Sequence, residues 1–202
     1  MKLYYSPGAC SLASHITLHE VGRPFEIERA DIRAKTTASG GDFRRVNPKG
    51  AVPALMLDGG EVLTEGVAIM QYVADVAGAN DLLPPTGTLA RAHVQEMLNY
   101  VSSEVHKTYS PLFRGLDGDA KAAQLAVLDG KLAWIETMLS DGRSYLTGDT
   151  FSPADGYLFT VTNWSGSLGH DLAAYPNLIA LRARVAARPA VQAAMKAEGL
   201  LT

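Results

Sequence analysis

Apolar and polar positions follow two different periods in the first 80 residues, and only the helical one persists after residue 88. Lys2–Tyr5 is short, apolar and strand-like, and it runs into the turn Ser6-Pro7-Gly8. Cys10–Val21 reads as a helix closed by Gly22. Pro24–Ala30 sets Phe25, Ile27 and Arg29 against Glu26 and Glu28, the period of a half-buried strand. Residues 31–50 are polar and rich in Thr, Ser and Gly, with room for a short helix at most. Val52–Leu57 is an apolar strand, Asp58-Gly59-Gly60 a hairpin turn and Glu61–Thr64 the returning strand. Thr64 is then expected to cap a helix with Ala68, Ile69, Tyr72, Val73 and Val76 on its apolar side, ending near Gly78.

Asp81–Gly87 contains Pro84-Pro85 and Gly87, which break both regular structures, and reads as a linker. Beyond it every strong pattern is helical: Leu89–Tyr109, stopped by Pro111; Ala120–Leu139; Ser152–Leu168; Asn177–Ala187; and Pro189–Glu198. The expected order is an α/β domain, β-α-β-α-β-β-α, followed by an all-α domain.

Composition narrows the function. The chain has 202 residues, 47% hydrophobic and 19% charged, with a net charge of -3. No basic field is present to hold nucleic acid or an anionic membrane. One cysteine cannot form an internal disulfide, so nothing demands an oxidising compartment. The first residues carry no signal-peptide core, and no apolar run approaches the ~20 residues of a membrane span. The expectation is a cytoplasmic globular protein without nucleic-acid or membrane partners.

Four segments carry candidate chemistry. Cys10 opens the first helix, where backbone N–H groups stabilise an anion and ease ionisation of a thiol that otherwise titrates near ~8.5. An inert, buried cysteine is the alternative. In Asn47-Pro48-Lys49-Gly50-Ala51-Val52-Pro53, the proline cannot donate to a ladder. Two readings stay open: a cis Val52–Pro53 bond that offers the Val52 backbone to an extended ligand, or a plain edge-strand proline. Leu63-Thr64-Glu65-Gly66-Val67 again ends a strand and opens a helix, whose first N–H groups suit a carboxylate while Glu65 suits an ammonium. On Leu89–Tyr109, Val94, Leu98, Val101 and Val105 form an apolar stripe, and Asn99, Ser103 and His106 a polar one flanked by Glu104 and Lys107.

Other features read as structural. His15 and His19 lack the companions of a metal site and are expected on a solvated face. No metal is expected. His93 and His170 show no partner in the sequence, and Trp134 and Trp164 read as core or pocket wall. Ser152-Pro153-Ala154-Asp155 is a capping box that starts the helix carrying Tyr157 and Trp164.

Taken together, the segments Tyr5–His15, Asn47–Leu55 and Leu63–Tyr72, with Asn99, His106, Lys107 and the Ser152–Asp155 box, resemble the glutathione transferases over essentially the whole chain. The bacterial beta class is the most similar, through Cys10 and His106. The resemblance implies a thioredoxin-like domain over residues 1–80, a linker over 81–87 and a helical domain over 88–202 that forms the electrophile pocket. It implies a homodimer, reduced glutathione as cosubstrate, a small hydrophobic electrophile and no further cofactor.

Residue by residue, the resemblance sets Cys10 against the glutathione sulfur, able to form a mixed disulfide with it, with Ser11 and His106 bonding nearby. Tyr5, where other classes place a catalytic tyrosine, is secondary. Val52, before Pro53, pairs with the glutathione backbone. Glu65 and Gly66 hold the γ-glutamyl end, and Lys35 the glycyl end. Asn99, Ser103 and Glu104 complete the site, some from a second subunit. Gly66 stands where many family members have serine, leaving only a backbone N–H for the carboxylate. The implied reaction is attack of a stabilised glutathione thiolate on an electrophilic carbon. Rival readings are a glutaredoxin-like redox thiol transferase and a non-catalytic protein that binds hydrophobic ligands.

Overall fold

The computed structural model describes residues 1–201, which form two compact units. One is Met1–Leu83 together with the chain from Arg188 onward; the other is Pro84–Ala187. The division at Leu83 falls inside the expected linker. The C-terminal segment belongs to the first unit, not to the helical domain in which the sequence reading placed it.

The first unit is built on β1 (Lys2–Tyr5), β2 (Glu26–Asp31), β3 (Thr36–Thr37), β4 (Ala54–Met56) and β5 (Val62–Thr64). They form one five-stranded sheet in the order β3-β2-β1-β4-β5. Only β1 and β2 are parallel, and α1 (Ser11–Val21) supplies the crossover a parallel pair requires. β4 and β5 form the expected hairpin, closed by Leu57 N–H on Glu61 O at 2.8 Å and by Gly60 at φ 86°. The expected short helix in residues 31–50 is a single 3-10 turn, Phe43–Arg45.

Successive β1 side chains serve opposite faces of the sheet. Leu3 and Tyr5 pack with Leu18 of α1 and with Ile69 and Val73 of α2 (Gly66–Ala77). Tyr4 packs with Ala30, Phe43, Val52 and Ala54. β4 lies inside the sheet, so Pro53 is not an edge-strand proline. It follows a cis bond from Val52 and stands one residue before the first ladder pair, Tyr4 opposite Ala54, where its missing N–H is not needed.

The C-terminal helix of this unit, α9 (Pro189–Ala197), packs along α1. Arg188 makes a two-pronged bond to Glu20 at 2.6 and 2.9 Å. The Glu198 carboxylate pairs with His15 Nδ1 at 2.9 Å and accepts Gly8 N–H at 2.9 Å. His15 is fully buried and stacks on the half-buried His19 at a centroid distance of 5.0 Å. The expected solvated face of α1 is therefore covered, because a segment some 180 residues downstream returns to it.

In the second unit α3 (Leu89–Tyr100) starts at Thr88, whose hydroxyl accepts Arg91 N–H at 3.1 Å. The sequence predicts one uninterrupted helix to Tyr109. The chain instead passes through a π-helical segment, Val101–His106, then α4 (Lys107–Tyr109) and a 3-10 turn over Ser110–Arg114. α5 (Gly118–Leu139) buries Leu128, Leu132, Ile135 and Leu139, as its periodicity predicts. The expected helix Ser152–Leu168 breaks at Asn163 into α6 (Pro153–Thr162) and α7 (Trp164–Leu168), and α8 (Pro176–Ala186) follows.

Asp155 is fully buried at the start of α6. It accepts Ser152 N–H at 2.9 Å, Ser152 Oγ–H at 2.8 Å and, across a loop, Leu146 N–H at 2.8 Å. Among the described residues, no helix is long and apolar enough to cross a membrane and no cluster of His, Cys, Asp and Glu could hold a metal ion.

Candidate active site

On the first unit, the junction of β1 with α1 places Cys10 at the N-cap position with helical backbone angles. No side chain caps this helix start. The Cys10 thiol is half-buried and donates to Val52 O at 3.2 Å, so the cysteine and the cis-proline segment do converge. Ser11 does not present its hydroxyl beside the thiol. It is fully buried, accepts Ser6 N–H at 3.1 Å and donates to Ser6 O at 3.3 Å, pinning the Ser6–Ala9 loop. Tyr5 is also buried. Burial, and then the Glu198 carboxylate, hold its phenol above the ordinary range, so it stays protonated at neutral pH.

At the start of α2, Thr64 is not the cap. It is the last residue of β5, and Glu65 occupies the N-cap position without a side-chain capping bond. The Thr64 hydroxyl instead accepts from Lys49 Nζ at 2.8 Å, and the same ammonium reaches Glu65 Oε1 at 2.5 Å. Lys49 belongs to the Asn47–Pro53 segment, and sequence reasoning passed over it; its place between Pro48 and Gly50 was the available signal.

Among the described residues, the only non-glycines at positive φ are Lys35 at 60° and Glu65 at 70°. Both belong to the expected glutathione set. A side-chain-bearing residue held there carries backbone strain that the surroundings must impose, and such strain concentrates at binding sites. Lys35 Nζ donates to Gly50 O at 2.7 Å, which ties its loop to the Val52 segment. Gly66 faces inward. A Cβ there would meet Pro53 Cγ at 3.6 Å, ordinary contact, so the missing serine is not excluded by space.

On the second unit the expected polar stripe divides. Asn99 and Ser103 are exposed, and the Ser103 hydroxyl donates to Asn99 O at 2.9 Å. Glu104 is held by Lys131 Nζ at 2.7 Å. His106 turns inward: its Nδ1 lies 2.7 Å from the Tyr157 hydroxyl, and its ring meets Trp164 edge-on at 4.9 Å. Burial, reinforced by the Lys107 ammonium next to it, pushes the His106 ring down to about 4, so it is neutral at pH 7.

The π segment separates these residues, since its wider turn shifts each following side chain around the axis. Hydroxyls of Ser103, Thr108 and Ser110 donate to the carbonyls four residues earlier, competing with the helical ladder. These three hydroxyl residues were the signal in the sequence. Trp164 joins Phe113 and Tyr109 in an aromatic wall, with centroids 5.5 and 5.7 Å away. A separate cavity of about 630 Å³, lined among others by His93, Met97, Trp134 and Met138, contains none of the expected site residues.

Comparison with known proteins agrees with both halves of this arrangement. Residues 8–76 match the N-terminal domain of glutathione S-transferases, and residues 100–189 their C-terminal domain. Glutathione S-transferase GstA of Escherichia coli O157:H7 is 46% identical over 201 residues, covering 99% of this chain and 100% of that protein. A sphingomonad glutathione S-transferase solved in complex with glutathione is 47% identical with a TM-score of 0.93, each chain covered completely. The bacterial beta class enzyme of Sphingomonas chungbukensis is 45% identical with a TM-score of 0.94, again over 100% of both chains. With a thioredoxin-like sheet, a helical second unit and likeness of this extent along its whole length, the chain belongs to the glutathione S-transferase family and is similar to its bacterial beta class.

Proposed function

We propose that this protein conjugates reduced glutathione to small hydrophobic electrophiles. The observation that carries the proposal is the convergence of the Cys10 thiol on the Val52 carbonyl, 3.2 Å apart, at a helix start without a side-chain cap. Full-length likeness to a glutathione S-transferase solved with glutathione supports the choice of cosubstrate. Glutathione lies extended along Val52, its γ-glutamyl end at Glu65 and Gly66 and its glycyl end toward Lys35. Its sulfur sits by Cys10.

The glutathione thiol gives up its proton, and the resulting thiolate is held by the α1 start and by a hydrogen bond from His106. The sulfur attacks an electrophilic carbon, the carbon–sulfur bond forms, and the displaced group leaves with its electron pair. Asn99, Ser103 and Glu104 complete the site, in part from a second copy in a homodimer. The exposed Phe113 and the Trp164 ring beside it, backed by the fully buried Tyr109, suit an apolar substrate. No further cofactor takes part, and a cytoplasmic location fits the reduced thiol.

The redox reading draws on the same thiol. As a thiolate, Cys10 attacks glutathione disulfide, forming a mixed disulfide and releasing one glutathione thiolate, with no other oxidant needed. Assays of Cys10→Ala with an aryl halide and with a disulfide substrate separate the two. Conjugation that persists while disulfide exchange vanishes assigns Cys10 to redox chemistry alone. Absence of turnover with any electrophile in the unaltered protein overturns the conjugation proposal.

A further inference from the structure

Three histidines of this chain hydrogen-bond to a side chain far away in sequence, and the partners differ in kind. His15 meets the Glu198 carboxylate at 2.9 Å, and His170 meets the Asp129 carboxylate at 2.8 Å. His106 meets a phenol, Tyr157 Oη, at 2.7 Å from Nδ1. The phenol places no negative charge beside the His106 ring, which stays neutral with a single ring proton. We propose that Tyr157 is a positioning residue for the conjugation reaction, which fixes His106 in the tautomer that carries its proton on Nε2, the form able to donate in the role proposed for it above.

A neutral imidazole has one N–H donor and one lone-pair acceptor. The phenol is the better acid of the pair and the imidazole nitrogen the better base, so Tyr157 O–H donates to Nδ1. The single ring proton then resides on Nε2, and Nε2 is the nitrogen left for a ligand. His106 so arranged is a donor to a sulfur anion and has no lone pair with which to take the sulfur's proton. The neighbouring groups keep it there: Tyr157 lies on α6, Trp164 of α7 meets the ring edge-on, and the Lys107 ammonium next in sequence disfavours a second proton. Tyr157 is itself set in place by α6, which is buried along its length and anchored by the capping box at Asp155.

The inference deepens the proposed conjugation and rests on the role given there to His106. It also orders the chemistry: the thiol proton leaves to solvent or buffer, and His106 stabilises what remains.

The test combines nitrogen-15 NMR of the histidine rings with kinetics, on the intact protein saturated with reduced glutathione. The expected spectrum of the unaltered protein shows His106 protonated at Nε2 and bare at Nδ1. Tyr157→Phe, which keeps the ring, is expected to let the tautomers exchange. It should lower kcat/KM by about tenfold, the scale of one lost hydrogen bond. The pH midpoint for forming the bound thiolate should rise by roughly half to one unit. A purely structural role for Tyr157 would lower activity without moving that midpoint, and so overturns the inference. A wild-type ring protonated at Nδ1 overturns it whether or not the variant folds. His106→Ala separates the levels: if it shifts the midpoint while Tyr157→Phe does not, the inference alone fails. If His106→Ala leaves both midpoint and rate unchanged, the role of His106 fails with it.

Discussion

The starts of α1 and α6 solve the same problem in opposite ways. At α6 a buried Asp155 takes three donors, and Ser152 and Pro153 complete a closed first turn. At α1 the N-cap position is a cysteine, no side chain caps the helix, and the hydroxyl of the next residue, Ser11, is turned back onto Ser6. An uncapped start does not mark a site by itself, since α5 and α9 also begin without a side-chain cap. What sets α1 apart is the thiol at that position and the Val52 carbonyl 3.2 Å from it. A closed start serves the fold, whereas an open start next to a reactive atom leaves the helix dipole for a ligand.

The sharpest way to break this comparison is to open the closed start. Asp155→Ala leaves two backbone N–H groups and a hydroxyl without their buried acceptor, which costs roughly 3 kcal/mol. Melting should fall by about 6–12 °C while the alkylation rate of Cys10 in the folded protein stays unchanged. The pH dependence has a definite sign. Burial raises the Asp155 carboxyl to about 6 against an ordinary 3.8. The folded chain therefore binds this proton more tightly than the unfolded chain, and the corresponding stability is full below pH 3.8 and is lost as pH rises through 6. Melting scans of Asp155→Asn, which cannot titrate, should lack that decline when compared with the unaltered protein.

How far the sequence could take this account differs between the same two regions. The α6 box was legible because all its parts lie within four consecutive residues. So was the thiol at α1, since strand, turn and helix follow one another directly. The clamp on α1 and the loop before it was not legible: Glu198 and Arg188 reach them from the far end of the chain, and the polar His15 and His19 positions read as a solvated face because nothing local marks the segment that covers them. The two-residue β3 sits in a polar stretch with no alternation to reveal it. Thr64 has the chemistry of a cap, but Glu65 at positive φ intervenes and takes the position. The stripe through Asn99, Ser103 and His106 assumed an α-helix, and the π turn removed His106 from that face.

A smaller effect is expected from disturbing the open start. Ser11→Ala removes a buried hydroxyl that both accepts from and donates to Ser6, at a cost of about 1–2 kcal/mol. Unlike the Asp155 change, it should also raise the pH midpoint of Cys10 alkylation. A drop in melting temperature with unaltered thiol reactivity would make the two starts equivalent and undo the contrast. The smallest effect concerns the second uncapped start. Gly66→Ser fits without clash, its Cβ 3.6 Å from Pro53 Cγ. It replaces glycine in a first turn and should stabilise the protein by about 0.5 kcal/mol, seen by denaturant titration. A loss of stability would mean that the α2 start has less room than its contacts imply.

The most direct test of the central claim is the ionisation of glutathione on the protein, followed by ultraviolet difference absorbance of the thiolate as pH is varied. The account predicts a bound thiol that ionises at least one unit below an ordinary thiol near ~8.5, with the shift reduced in His106→Ala. A bound thiol that titrates as it does in free solution would contradict it.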